Sequence, residues 1–354
     1  MATRRRLAKS WASRRATPTR PCGTRSSTCA PAPERETLGK TVAIVNPRAG
    51  GGRGARRWPA FEAAIRARLG AVETLWTERP NHATELARQA VAGGAELVIA
   101  VGGDGSVNEV VNGLFQDGRP LREDVRLGYV PFGTGGDLQR SLRLPTEPGL
   151  VAEALAAGHV WRMDLAMARL TGHDGRPVER YFVNLLSFGM GGDVSIHAKQ
   201  NFLTRWGGQA AFLYATFAVF LGYRGKRVRL RLDDEAQARE CFITNIAVGN
   251  GRYHGGGMYP CPGADLDDGL LEVTVIGYLS MWELIRDIRM LYSGKVYEHP
   301  KVERFAARRL GAESDEVTRM EVDGEALGRL PLDVSVLPGA LRLAVPKGFE
   351  VKRG

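Results

Sequence analysis

Cysteine is scarce in this chain. Four occur in 354 residues, at positions 22, 29, 241 and 261. No pair has the spacing of a metal site or of a redox C-x-x-C motif. Two lie near the amino terminus and two in the body, so reduced thiols and a cytoplasmic setting are expected. Long apolar runs are also missing. No stretch of ~18 apolar residues is available to span a bilayer, and the best candidate, Ala210 to Leu221, is too short. No signal-peptide core stands near the start. Two familiar nucleotide signatures are absent. The glycine loop at 46–54 is not followed by Gly-Lys-Ser/Thr, so it is not a Walker A loop. The stretch at 102–108 lacks G-x-G-x-x-G spacing, which disfavours an NAD-dependent dehydrogenase.

Positive charge is abundant overall but thin in the body. The formal net charge is +10. Residues 1–40 hold ten Lys and Arg against Glu34 and Glu36, which is +8 and leaves +2 for the rest. A nucleic-acid partner thereby loses its main support. The same forty residues carry almost no apolar side chains and read as a disordered basic tail. A transit peptide, a basic arm on an anionic membrane and an upstream start-codon artefact stand as other readings of that tail.

What is present is organised around Gly102-Gly103-Asp104-Gly105-Ser106-Val107-Asn108-Glu109. An apolar run, Leu97 to Val101, reads as the buried strand before it. Val107, Val110, Val111 and Leu114 form the apolar stripe of a helix after it. A strand end, a glycine loop and a helix start together expose backbone N–H groups to an anion. The arrangement recurs twice. Thr41 to Val45 runs into Asn46-Pro47-Arg48-Ala49-Gly50 and a helix carrying Phe61, Ile65 and Leu69. Arg126 to Pro131 runs into Phe132-Gly133-Thr134-Gly135-Gly136-Asp137 and a short helix at 138–142. Ala71 to Trp76 and a helix with Ala83, Leu86, Ala87, Ala90 and Val91 complete the alternation, which predicts a parallel sheet. All three loops fall at carboxyl ends of strands, the edge where ligands bind.

Past residue 160 strands dominate. Tyr181 to Leu186, Val228 to Leu232, Cys241 to Val248 and Leu270 to Ile276 are expected strands. Thr318 to Val345 continues them, with a turn at Asp323-Gly324. Helices are expected at Ala210 to Tyr223 and at Met281 to Tyr292, the latter with Met281, Leu284, Ile285 and Ile288 inward.

Arg48, Arg53, Arg56 and Arg57 are candidate phosphate contacts beside the first loop. Asp104 and Asp137 would stand among phosphates, where bare carboxylates repel. They make sense as partners of a bridging Mg2+, or as caps of the helices that follow them. Asp265, Asp267 and Asp268 precede Gly269, and Asp323 and Glu325 flank Gly324. These are turns, or else a structural Mg2+ site and a general base.

Residues 102–110 resemble the GGDGT/S-x-N-E signature of the diacylglycerol kinase catalytic domain. That superfamily holds bacterial diacylglycerol kinases and related lipid kinases, and the sphingosine and ceramide kinases. Asn46 to Gly50 is similar to its first loop, 133–137 to its GTGND loop, and Asp267 to Leu271 and Asp323 to Glu325 to its carboxyl-terminal signatures. The resemblance implies an α/β plus β fold, a Rossmann-like parallel-sheet nucleotide domain with a second β-sandwich domain. The expected division is a basic tail at 1–40, an ATP-binding domain at 41–164, a lipid domain at 165–329, and a segment at 330–354 returning to the first domain. By the same resemblance Asn46, Pro47, Arg48, Ala49, Gly50, Thr77, Gly102, Gly103, Asp104, Gly105, Ser106, Val107, Asn108 and Thr134 contact ATP. Asp265, Asp268 and the backbone of Leu270 hold a structural Mg2+, with Asp137 a further metal candidate. The base is Asp323 or Glu325, or Asp104 as in the sphingosine-kinase branch. Gly136 replaces the family's usual Asn. The implied activity is an ATP- and Mg2+-dependent lipid kinase, with diacylglycerol the leading acceptor and sphingoid bases or ceramide the alternative. An NAD kinase-like enzyme and a non-catalytic binding protein are weaker readings. The implied partners are ATP, a lipid at a membrane surface and at most a second copy of the chain as a homodimer. The setting is cytoplasmic and peripheral to the membrane, and residues 202–223 are a candidate lining for acyl-chain access.

Overall fold

The computed structural model describes residues 39–132, 136–200, 216 and 218–351, with the backbone alone at 198–200. Expectations for residues 1–38, Cys22 and Cys29 among them, for Gly133, Thr134 and Gly135, and for most of 202–223 lie outside the described residues.

The first part alternates strand and helix: β1 (Thr41–Val45), α1 (Ala49–Leu69), β2 (Val72–Trp76), α2 (His82–Ala92), β3 (Leu97–Gly102) and α3 (Asp104–Leu114). After a small hairpin, β4 (Phe115–Gln116) and β5 (Arg119–Pro120), come β6 (Arg126–Pro131), α4 (Asp137–Leu142) and α5 (Pro148–Ala156). β1 lies between β2 and β3, and β6 pairs with β3, all in parallel. β1 and β3 are buried along their whole length, as a sheet covered on both faces requires. Trp58, Phe61 and Ile65 of α1 and Val151 and Leu155 of α5 cover one face. Leu86, Ala87, Val107, Val110 and Val111 from α2 and α3 cover the other.

The second part is antiparallel: β7 (Val160–Gly172), β8 (Pro177–Phe182), β9 (Leu185–Gly189), α6 (Met190–Gln200), β10 (Lys226–Leu232), β11 (Arg239–Gly249), β12 (Leu271–Gly277), β13 (Val302–Ala307), β14 (Arg309–Glu313), β15 (Arg319–Val322) and β16 (Glu325–Ala344). Its strands enclose a sandwich core that includes Phe182, Phe188, Leu230, Ile246, Val273, Leu310, Met320 and Leu332. β16 joins the two parts. Of its twenty residues, those from Gly328 to Ala344 run beside β7, and Leu343 pairs in parallel with Leu127 of β6. Leu332, Val334 and Val336 enter the sandwich core, while Leu341 and Leu343 enter the first core.

Two expected elements are corrected. Tyr181 to Leu186 is two strands, because the backbone N–H groups of Val183, Asn184 and Leu185 turn to the Asp323 carboxylate. Met281 to Tyr292 is two helices, Met281–Asp287 and Met290–Ser293. A Ser280–Glu283 capping box starts the first of them. Leu284 is buried, but Ile285 is 46% exposed, beside Trp282 at 81%. The covered stripe is Met281, Leu284 and Leu291, and Ile285 lies at its exposed edge.

Because β16 serves both cores, the chain is expected to melt in one calorimetric transition. Leu332→Ala and Leu343→Ala should each cost about 2–5 kcal/mol and lower that single transition together. Two resolved transitions, each moved by one variant alone, would contradict this.

Candidate functional site

The site is built on the carboxyl edge of the parallel sheet. Asn46 N–H continues the ladder to Val101 O at 3.0 Å. Its side chain then ties two loops together. Asn46 Oδ1 accepts from Arg48 N at 3.0 Å, and Nδ2 donates to Ser106 Oγ at 3.2 Å. Gly50, Gly51 and Gly52 take left-handed φ of 61°, 70° and 84°, so the first loop extends three residues into the nominal helix. A methyl group on Gly50 would strike Phe132 O, and one on Gly102 would strike Ser106 Oγ. The loops therefore approach one another more closely than side chains permit.

They border a cavity of about 470 Å3 lined by Asn46, Arg48, Ala49, Gly50, Thr77, Gly103, Asp104, Gly105 and Ser106, with Glu325 reaching it from β16. Glu78, Arg79, Pro80, Ala83 and Glu109 complete the wall and are not among the expected ATP contacts. Pro47, Gly102, Val107 and Asn108 are not among its described lining residues. Val107 is in the core, and Asn108 is buried below the loop. Of the four arginines, Arg48 lines the cavity. Arg53 donates to Gly50 O at 2.7 Å, and Arg57 lies over the Phe132 ring at 5.0 Å. Arg56 is exposed on α1.

Asp104 caps a helix, but not its own. Its carboxylate accepts from Asp137 N at 3.0 Å and Leu138 N at 3.2 Å, the first turn of α4. Burial pushes its pKa up to about 6. The charges of Asp137 and Asp323 add to the rise, and the two N–H donors oppose it. Asp137 is buried beside it. Its Oδ2 accepts from Gly256 N at 2.8 Å, across to the sandwich part. Its Oδ1 has no hydrogen-bond donor among the described residues, only Arg140 Nε at 3.7 Å.

The β15–β16 turn separates two carboxylates that the sequence leaves equivalent. Asp323, at φ 46°, is half-buried. Its Oδ2 accepts from Asn108 Nδ2 at 2.7 Å and Val183 N at 3.0 Å. Its Oδ1 accepts from Asn184 N at 3.1 Å and Leu185 N at 2.9 Å. Burial raises its pKa against those four donors. Glu325 instead faces the cavity, with Arg180 Nη2 at 3.9 Å. Between them the two residues join α3, the β8–β9 break and the cavity.

The acidic loop before β12 lies elsewhere, against β7 and β16. Asp164 accepts from Gly269 N and Gly339 N, both at 2.6 Å. Asp267 accepts from Trp161 Nε1 at 3.1 Å, and Asp268 from Leu270 N at 2.9 Å. Burial pushes Asp164 and Asp268 up, and the charges of Asp265 and Asp267 add to both. An all-oxygen, mutually repelling donor set suits a hard divalent cation. Among the described residues, however, no three acidic, His or Cys side chains are already arranged to hold one.

A second cavity, of about 100 Å3 and almost wholly apolar, lies outside the sandwich core. α6 and the helices at 281–293 help to wall it, with Met190, Val194, Ile276, Leu284 and Leu291. Its polar wall includes Ser187 and His254, both bound to Glu321, a fully buried carboxylate. Nothing local in the sequence marks Glu321. It alternates with inward Met320 and Val322, as a surface residue would.

Comparison with known proteins matches both parts. The family described as the diacylglycerol kinase catalytic domain matches residues 40–168. The YegS C-terminal NAD kinase beta sandwich-like domain matches residues 186–345. A YegS-like lipid kinase of Chromohalobacter salexigens is 32% identical over 285 residues, 78% of this chain and 84% of that one. A diacylglycerol kinase of Mycobacterium tuberculosis is 29% identical over 315 residues, 88% of this chain and 97% of its own. A crystal structure attributed to a diacylglycerol kinase of Bacillus anthracis superposes with a TM-score of 0.70 at 25% identity, covering 88% of this chain and 99% of that one.

Two outcomes follow from the geometry. Asp323→Ala removes the acceptor for four donors, so a loss of at least about 3 kcal/mol in unfolding free energy is expected, read by urea denaturation. Asp104 carries a pKa above its unfolded value. Its contribution to stability is therefore full below pH ~4 and is lost as pH rises through ~6, by at most about 3 kcal/mol. Wild type minus Asp104→Asn should show that decline in Tm without ligands. A flat difference would contradict the raised pKa.

Proposed function

The chain belongs to the diacylglycerol kinase and YegS-like lipid kinase family. From that premise we propose that it transfers the γ-phosphoryl group of ATP, with Mg2+, to a primary hydroxyl of a lipid, diacylglycerol first, giving phosphatidic acid. One observation carries the reading. A single cavity is lined by both described glycine loops and by a carboxylate from the opposite part, Glu325. The loops supply backbone N–H groups and the start of α3 to phosphates. Asn46 and Ser106 hold the two loops in register for that task.

Glu325 is the proposed base, taking the proton from the lipid hydroxyl as its oxygen attacks the phosphorus. Asp323 is assigned to holding the turn, since all its oxygen acceptors are engaged. Asp104 and Asp137 are proposed to face the metal of the nucleotide, and Asp265, Asp268 and the Leu270 carbonyl a structural Mg2+. When bound, Mg2+ would neutralise phosphate charge. The orphaned Asp137 Oδ1 supports a cation there. The apolar cavity is proposed to take acyl chains, and exposed Trp282 and Ile285 outside it to meet a membrane surface.

Radiolabelled ATP with diacylglycerol, sphingosine, ceramide and NAD should label phosphatidic acid most strongly. Chelation of Mg2+ should abolish labelling. Labelled sphingosine, ceramide or NAD instead would replace the assignment of acceptor. Glu325→Gln should lower kcat about 10^2–10^4-fold while an ATP analogue still raises its Tm. Full activity in that variant would remove Glu325 from the chemistry. Trp282→Glu should weaken sedimentation with anionic vesicles and leave turnover of short-chain diacylglycerol in detergent nearly unchanged.

A further inference from the structure

Glu321 has no part in the chemistry above, yet its oxygens join the wall of the apolar cavity to the turn that carries Glu325. Its side chain is fully buried on β15. Oε1 accepts from Ser187 Oγ at 2.7 Å and lies 3.1 Å from His254 Nε2. Oε2 accepts from Gly324 N at 2.8 Å. Ser187 and His254 belong to the wall of the apolar cavity. Gly324 is the residue between Asp323 and Glu325. Elsewhere in that wall, Asp287 pairs with Arg286 and His299. Thr244 Oγ1 accepts from Leu279 N at 2.8 Å, and Asn245 Oδ1 from Gly191 N at 2.9 Å. Ser187 and His254 instead lead out of the cavity to the turn.

A buried carboxylate is costly unless donors fill its oxygens. Here the donors come from β9, the loop after β11 and the turn itself. Burial pushes the Glu321 pKa up, while His254, Ser187 and Gly324 N pull against it. The turn has two successive left-handed residues, Asp323 at φ 46° and Gly324 at φ 83°. Asp-Gly is the favoured pair for such a two-residue hairpin turn, and contacts on both sides fix where the turn points. The four donors on Asp323 hold one side, and Glu321 holds the other.

We propose that Glu321, with Ser187 and His254, is a positioning cluster that sets the Gly324 turn, and so Glu325, against the lipid seated in the apolar cavity. This rests on the reading of Glu325 as the base and of the apolar cavity as the lipid's seat. A lipid in the cavity touches Ser187 and His254. Its position and that of Glu325 are then set through one carboxylate. Nucleotide binding, on the far side of Glu325, makes no use of the cluster.

The test uses the full chain, with dioctanoylglycerol in mixed micelles and Mg2+-ATP. Glu321→Ala and His254→Ala should lower kcat/KM for the lipid at least tenfold and leave KM for ATP within twofold. Glu321→Gln keeps an acceptor for Gly324 N and should retain more activity than Glu321→Ala, and His254→Gln more than His254→Ala. Tm and the Tm shift with an ATP analogue are read on every variant. A fall in Tm with lipid kcat/KM unchanged would overturn the proposal, as would equal loss toward lipid and ATP. A thermal shift by dioctanoylglycerol without ATP separates this from the kinase reading. If wild type phosphorylates no lipid, a shift present in wild type and lost in His254→Ala still supports the link to the cavity. In that event the kinase reading alone fails. No shift in wild type and no lipid activity overturns both.

Discussion

The Asp323 carboxylate is the interaction on which the rest depends. One side chain accepts from α3 through Asn108 and from three consecutive backbone amides at the β8–β9 break. Those amides are withdrawn from a sheet ladder, and only a strong acceptor compensates for that. The break in turn lets β9 pair with β15 and β11 at a new angle to β8. Asn108 then passes the connection on. Its Oδ1 accepts from Asn112, which with Asn108 donates to Tyr181 O. The helix behind the second glycine loop is thereby fixed to the sandwich part by buried hydrogen bonds rather than by apolar contact alone. Such a network demands one geometry, since any slip leaves buried donors unpaired.

The same economy of position explains the concentration of carboxylates behind the glycine loops. The charges of Asp137 and Asp323 raise the proton affinity of Asp104, and burial raises that of Asp104 and of Asp323. A protein without a ligand gains nothing from this. The cost is offset in part by using each carboxylate as a cap or clamp: Asp104 on α4, Asp137 on Gly256 and Asp323 on the strand break. Each clamp joins segments distant in sequence. The residues that would meet phosphate and metal are thus also the residues that assemble the edge.

Local signals were legible in the sequence, and through-space ones were not. Glycine loops at strand ends, and the helix stripes of α2 and α3, depend on residues within a few positions of one another. Ala83, Leu86, Ala87, Ala90 and Val91 are all buried. β7 was not read as a strand, because Met163 to Ala168 is buried on both faces and shows no alternation. Asn108 sits in the glycine motif, but its side chain serves Asp323, 215 residues away. Whether Asp104 caps α3 or α4 is decided by how closely two loops approach, which no spacing reveals. Ile285 has helical periodicity with Met281 and Ile288, yet it is exposed beside Trp282, at the edge of the stripe that the neighbouring elements cover.

Five residues of one strand and turn summarise how position assigns chemistry to identical groups. Glu321, Asp323 and Glu325 carry the same functional group at every second position. In a regular strand they would share one face. The left-handed pair at 323–324 breaks that rule, and the three carboxylates diverge. Glu321 meets the wall of the apolar cavity, Asp323 enters the junction between the two parts, and Glu325 emerges in the cavity of the glycine loops. A turn with those φ angles therefore does more than reverse the chain. It carries Glu325 to one cavity, leaves Glu321 behind the wall of the other and holds Asp323 at the junction. The placement of Glu325 relative to the Glu321 cluster is then a property of the backbone at 321–325.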